Sequence, residues 1–301
     1  MGLTSIIYKK LGQVTVSDKF LKKKYKGLLP HIELIKNDNI ASLNFIGKSQ
    51  TRGHATAKMI TDCLKQITTN KDLHFRFFIN DKPLAGYDEN CFYYCINDES
   101  KKGYLFPDFA FESWSEAGIT NFSDTVKQIE EHGKSNWIDN RLFWIGNVQT
   151  NKIRSKLLEI GLENNSVFHF QDTYVDNFVL HKKDVPYLSL PDHTKYKYLL
   201  DIEGNSYSAR LKFLFFSQRV LFIQDRSWKE YFHYKLKPYE HFIPVKNDLS
   251  DLQQQYEMIE NDATLYQKIV ANALTFAHEH LTYNAAISYM VEAINKRIKN
   301  L

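Results

Sequence analysis

The sequence predicts an α/β protein built as two units, and three observations carry that prediction. Strand-like apolar or aromatic runs alternate with helix-like runs along most of the chain, the rhythm of parallel strands joined by helical crossovers. The 301 residues exceed the usual size of one domain and suit two halves. Phe (21) and Tyr (18) are abundant while Gly (12) and Pro (7) are scarce, so the chain is equipped for large packed cores rather than for loops or disorder.

The elements follow in order. In TAKMITDCLKQI, Met59, Ile60, Cys63, Leu64 and Ile67 share one helical face. LHFRFFI (Leu73 to Ile79) and CFYYCI (Cys91 to Ile96) read as strands, the first closed by the turn-like NDKP. YLFPDFAFESW is a third aromatic run, interrupted by Pro107, and SDTVKQIEEHG is a helix with Ser123 at its start and Gly133 at its end. RLFWIG (Arg141 to Gly146) then looks like the first strand of a new unit. The boundary is therefore expected between Gly133 and Asn140. Residues 1–137 are expected to form an N-terminal unit joined by the C-terminal helix, and residues 138–301 a second unit. That second unit continues with a helix (IRSKLLEIG), two strands (SVFHF, KYKYLLDI), a helix (SARLKFLFFSQ) and a strand (RVLFIQ). From Asp248 onward the chain reads as helical.

Charge and targeting patterns exclude several classes. Thirty-nine basic against 35 acidic residues leave a net charge of +4, which gives no electrostatic reason to expect a nucleic-acid partner. The basic run KFLKKKYKG (Lys19 to Lys26) is either a solvated helix face or a patch for anionic lipid or glycan. There is no 18-residue apolar stretch and no apolar core for a signal peptide, and Ile6 stands where a myristoylation signal needs Ser or Thr. A cytoplasmic protein is expected, with peripheral contact at the inner face of a membrane through the basic run. Cys63, Cys91 and Cys95 are too few and odd in number for a disulfide framework, and are expected as small buried hydrophobes.

One stretch invites a chemical reading. In DIEGNSYSARLKFLFFSQ a buried strand hands over to a helix through Gly204, Ser206, Ser208 and Arg210. At the carboxyl end of such a strand, Gly204 lets a ligand approach the backbone, and the serines and helix N-terminus can receive a phosphate. Arg210 can clamp a diphosphate. The plainer alternative is a serine-capped helix with a solvated arginine. RLFWIGNVQTNKIR repeats the arrangement, a glycine loop followed by Arg154 on a helix.

With YLFPDFAFESWSEAGI and SWKEYFHYKLKPYEHFIPVKNDLSDL in the same order, these stretches resemble glycosyltransferase family 90. That family includes capsule xylosyltransferases, lipopolysaccharide-modifying enzymes and protein O-glucosyltransferases. The resemblance covers Tyr104 to Leu252; before that only the strand–helix rhythm is shared. It implies a GT-B architecture of two Rossmann-like lobes facing across a cleft, with the acceptor in the N-terminal lobe (residues 1–137) and a UDP-sugar in the C-terminal lobe (residues 138–301). The residues it assigns to the donor are Gly146, Asn147, Thr150 and Arg154 from one loop and Gly204, Tyr207, Ser208 and Arg210 from the other. It also implies inverting transfer without a metal. The residues agree in one respect: no two aspartates stand two apart, as metal-binding Asp-x-Asp requires, so cationic side chains must meet the leaving diphosphate.

Inverting transfer needs a general base for the acceptor hydroxyl. Asp108, Glu112 and Glu116 are the candidates, and the family's Trp-x-Glu ending points to Glu116; Asp108 reads more readily as a turn residue bonding local amides than as the base. The expected reaction moves xylose or glucose from a UDP-sugar to a glycan or glycolipid such as lipopolysaccharide or capsule. The alternatives are a protein or peptide O-glycosyltransferase and a non-catalytic nucleotide-sugar-binding module. His278 and His280 point away from each other on a helix and do not form a metal pair. His241 reads as a satisfied histidine, Trp228 as a donor-stacking or packing residue, and Arg52 and His54 as a helix cap or an acceptor contact.

Overall fold

The computed structural model describes residues 9–11, 14–17, 30–37, 40–47, 51–83, 86–173 and 187–301. The basic run Lys19 to Lys26 and the first eight residues lie outside this set. The chain divides into two units. One comprises residues 1–123, 227–231 and 282–301; the other comprises residues 124–226 and 232–281.

The first unit holds a six-stranded sheet in the order β1-β2-β4-β3-β5-β6. Its strands are β1 (Lys9–Leu11), β2 (Val14–Ser17), β3 (His31–Asn37), β4 (Ile40–Ile46), β5 (Leu73–Phe78) and β6 (Cys91–Phe92). Helices α1 (Thr51–Leu64) and α7 (Tyr283–Asn300) belong to it. Its sheet is mixed, although the strand–helix rhythm pointed to parallel pairing. β3 runs antiparallel to both β4 and β5, and the register pairs Asn37 with Ile40. A connection that short can only return the chain antiparallel, because a parallel pair needs a crossover of a dozen or more residues.

The amphipathic helix is present, starting earlier than the pattern suggested, with Met59, Ile60 and Cys63 fully buried. Of CFYYCI only Cys91 and Phe92 join the ladder, but all six residues are buried. Phe92 stacks on Phe77 at 5.0 Å, and Phe106 meets Phe77 edge-on at 5.3 Å. The third aromatic run is not a strand: it folds into 3-10 turns at Phe109–Phe111 and Ser115–Ala117, with its phenylalanines inside.

The second unit has the predicted parallel sheet. Five strands lie in the order β11-β10-β9-β7-β8, where β7 is Asp139–Gly146, β8 Phe168–Asp172, β9 Tyr196–Asp201, β10 Val220–Gln224 and β11 Ile243–Val245. Every pairing is parallel. Helices α2 (Phe122–Gly133), α3 (Lys152–Glu163), α5 (Leu252–Glu260) and α6 (Ala263–His280) accompany it. The order reverses at β7: the chain moves outward to β8 and then returns to lay β9 on the other side. This is the doubly wound pattern, and it opens a crevice between the carboxyl ends of β7 and β9 where ligands of such sheets bind.

One expected helix is nearly absent. SARLKFLFFSQ yields a single turn, α4 (Leu211–Leu214). Residues 211–216 are buried on all sides, so burial rather than a helical stripe dictates their path, and Gln218 ends the segment in the left-handed region (φ 56°). The handover therefore runs from strand to loop, and no extended helix dipole stands behind Gly204.

Candidate functional site

The loops after β7 and β9 are stitched together by side-chain to backbone hydrogen bonds. Arg154, buried in the first turn of α3, donates through Nε to the Glu203 carbonyl, through Nη1 to Asn147 and through Nη2 to Ile202. Its guanidinium lies 5.3 Å from the Trp144 ring centre. Asn151 caps α3 through its Oδ1 and reaches across with Nδ2 to the Gly204 carbonyl, 2.9 Å away. At Gly146 a Cβ would come within 2.7 Å of the Trp144 ring, which requires glycine, whereas at Gly204 a Cβ would meet Arg154 Nη2 at an ordinary contact distance of 3.4 Å. Asn147 caps the turn at Gln149, and the Thr150 hydroxyl is spent on the Asn147 carbonyl. Seven of the eight residues that the family resemblance assigned to a donor thus lie on two adjoining loops, and the eighth, Arg154, in the first turn of α3. Arg154 ties the two loops together, the side chains of Asn147 and Thr150 bond within the first loop, and Tyr207 is buried.

The electrostatics of this corner depend on two residues the sequence reading passed over. Asp201, the last residue of β9, is fully buried; its Oδ2 accepts from Arg226 Nη2 at 2.6 Å and its Oδ1 from the Ser208 hydroxyl at 2.6 Å. Both side chains of the Asp201–Arg226 pair are wholly out of solvent. A signal existed in the sequence: an aspartate ending the apolar YLL run must find a cation if it is buried. Arg210 donates through Nη1 to the Ile145 carbonyl, 2.6 Å away. Its Nε is buried without a hydrogen-bond acceptor.

Three guanidinium groups therefore meet one buried carboxylate, with the half-buried Glu203 beside them. Burial and the neighbouring charge of Arg210 bring Arg154 down to about 10. Burial lowers Arg210 as well; Asp201 opposes the shift and Arg226 adds to it. The corner carries surplus positive charge and an unused buried donor, which is the electrostatic description of an anion site.

Within the first unit, the first turn of α1 gathers two carboxylates. Thr51 Oγ1 bonds to Glu116, and Arg52 Nη1 pairs with Asp81 at 2.5 Å. Arg52 also lies 4.8 Å from the Phe109 ring centre. Asp81 follows β5 in the NDKP turn and is partly shielded, whereas Glu116 is exposed. Asp108, adjoining Phe109, is buried at 1% exposure and caps its 3-10 turn through the Ala110 amide. Glu112 bonds to Lys58 and Ser113. Asp81 was missed because its sequence context is turn-like; only the fold brings it beside Arg52.

Elsewhere, His278 bonds to Glu130 at 2.8 Å, and His241 accepts from the Lys237 amide at 3.2 Å. Trp228 packs under Lys82, whose Nζ is 5.9 Å from the ring centre. His54 packs on Phe45. The three cysteines are buried free thiols. Among the described residues, no helix is long and apolar enough to cross a membrane.

The fold defines an α/β protein whose doubly wound sheet concentrates arginines in its switch-point loops. The chain belongs to glycosyl transferase family 90, whose sequence profile matches residues 9–301. It is 36% identical over 112 residues to protein O-glucosyltransferase 1 of Rattus norvegicus, covering 37% of this chain and 29% of that protein. It is 37% identical over 119 residues to O-glucosyltransferase rumi of Drosophila melanogaster, covering 38% and 28%. The chain thus spans under a third of the length of these relatives. The crystal structure of TarM overlaps 54% of this chain and 36% of its own at a TM-score of 0.41 and 15% identity, too loose a likeness to carry an argument.

Proposed function

We propose that the chain is an inverting glycosyltransferase that uses a UDP-sugar and needs no metal ion. The observation that carries this reading is the surplus of guanidinium charge around Asp201, with the buried Nε of Arg210 left without an acceptor. A leaving diphosphate supplies the missing acceptors and negative charge, and its stabilisation by fixed cations is what a metal would otherwise provide. In this reaction the acceptor hydroxyl oxygen bonds to the anomeric carbon, the bond from that carbon to the diphosphate breaks, and UDP leaves with the electron pair. A carboxylate takes the hydroxyl proton. The cluster at the start of α1 supplies it. Glu116 is the residue indicated by the family resemblance, and Asp81 is held in a fixed position by Arg52 and partly shielded from water.

Glucose is favoured as the sugar by the names of the two relatives; xylose lacks only a hydroxymethyl group, a difference worth about 1–3 kcal/mol in a pocket. The name of the first of these relatives also favours a polypeptide hydroxyl as acceptor. The second reading, a surface glycan such as lipopolysaccharide or capsule, draws support from the cysteines, whose reduced state fits a reducing compartment. Incubation with labelled UDP-glucose and cell fractions tests both readings: label released by protease identifies a polypeptide, and protease-resistant label a glycan. Transfer should persist in excess EDTA. Loss on chelation that Mn²⁺ or Mg²⁺ restores would overturn the metal-free mechanism, and UDP binding with no transfer from a UDP-sugar to any acceptor or to water would leave a binding module.

A further inference from the structure

Ser208 was expected to hold phosphate directly, yet its hydroxyl is committed elsewhere. It has one proton, and that proton goes to Asp201 Oδ1 at 2.6 Å. Phosphate oxygens near neutral pH are acceptors, so a hydroxyl serves them only by donating. Asp201 is in turn held by Arg226, which grips both its carboxylate (2.6 Å) and its carbonyl (3.1 Å) through Nη2.

Resting on the donor-site reading above, we propose that Ser208 acts on the nucleoside diphosphate through Asp201 rather than as its ligand. Ser208, Asp201 and Arg226 form one positioning unit that fixes residues 203–210. The Ser208–Asp201 bond closes the loop across seven residues, anchoring its far end to the last residue of β9. The near end is tied by the Glu203 amide to Gln224 Oε1 (3.0 Å) and by the Gly204 carbonyl to Asn151. With both ends fixed, Arg210, two residues beyond Ser208, is held with Nη1 on Ile145 and Nε unspent. Were Ser208 to turn to the phosphate instead, it would strip a hydrogen bond from a buried carboxylate beside an arriving anion. Ser208 and Arg226 are thus positioning residues, and Arg210 is the group that meets the ligand.

Thermodynamic cycles on the affinity of the full chain for UDP separate the two roles, because affinity measured per folded molecule is not moved by a stability loss alone. Ser208→Ala should weaken UDP binding about tenfold, the scale of one hydrogen bond. The same change should cost less than about twofold in the Asp201→Leu/Arg226→Met background, since replacing a buried ion pair by apolar residues is commonly tolerated and removes the acceptor on which Ser208 acts. A second cycle avoids the buried pair: in an Arg210→Ala background, Ser208→Ala should again have little effect. An undiminished tenfold loss in either background shows a direct phosphate contact and overturns the inference. Failure of the wild-type chain to bind UDP would instead remove the donor-site reading itself.

Discussion

Arg210 and Arg154 show how two residues of one type diverge in role through their hydrogen bonds. Arg154 donates to three backbone carbonyls, so its loss should loosen both loops. Arg210 makes one such bond and keeps a buried donor. Arg210→Ala should therefore weaken UDP binding by about 1.5–3 kcal/mol, the scale of a hydrogen bond to a charged group, with a small change in melting temperature. Calorimetric titration beside a thermal melt checks this; unchanged affinity removes Arg210 from the site. The carboxylates separate in the same manner. Loss of a general base lowers turnover by about 10²–10⁴ while leaving nucleotide affinity intact, and Asp81→Asn and Glu116→Gln are the two variants in which that pattern is expected to be found, in one of them only. Asp108→Asn should lower the melting temperature with little effect on turnover per folded molecule, because Asp108 is buried and caps a turn. Severe loss of turnover in Asp108→Asn alone would contradict this assignment.

At the level of elements, what the sequence revealed depended on whether the stabilising partners were local. Strands β7, β9 and β10 were legible as short apolar runs, and α1 as a stripe, because periodicity reports burial on one face or both. The β3–β4 hairpin was passed over and the first sheet misread as parallel, since strand direction is set by pairing and not by composition. α4 was overcalled because a segment buried on every side has no helical stripe to distinguish it. The two loops of the proposed donor site were legible through Gly146, Gly204, Arg154 and Arg210, whereas the pairing of Asp201 with Arg226 and of Asp81 with Arg52 joins residues 25 and 29 apart. The β7 loop offers a direct test. Gly146→Ala places a Cβ 2.7 Å from a rigid indole buried beneath it, so either Trp144 or the loop must move. An overpacking cost of about 1–3 kcal/mol is expected, together with weaker UDP binding as Arg154 loses its seat. Gly103→Ala, where an added Cβ meets nothing within 4 Å, is the control. Equal stability of the two variants would show that the β7 loop yields without cost.

Across the whole molecule, the stability of the second unit is tied to pH by histidines that fold in the neutral form. His193 is 4% exposed, packs edge-on against Phe143 at 5.2 Å, and donates through Nδ1 to the Ser189 carbonyl at 2.8 Å. Burial, with the nearby charge of Arg210, holds it down to about 3. Burial lowers His169, His241 and His280 in the same direction. An unfolded histidine titrates near 6.5. Between pH 6.5 and about 3 the unfolded chain therefore binds a proton at His193 that the folded chain does not, so stability rises with pH across that window. Equivalently, stability is lost as the pH falls below about 6.5, with His193 contributing up to roughly 1.4 kcal/mol per unit. The contribution is constant above that range, where both states are neutral. Urea unfolding of the wild-type chain and of His193→Asn, which keeps a donor for the Ser189 carbonyl, should give curves that converge on acidification. The variant starts less stable near pH 8 because a packed ring is lost, and it should then lose less per pH unit between 6 and 5. Parallel pH dependence in the two proteins would mean that His193 takes up its proton without unfolding, and that the acid sensitivity of this unit resides in its other histidines and in its carboxylates.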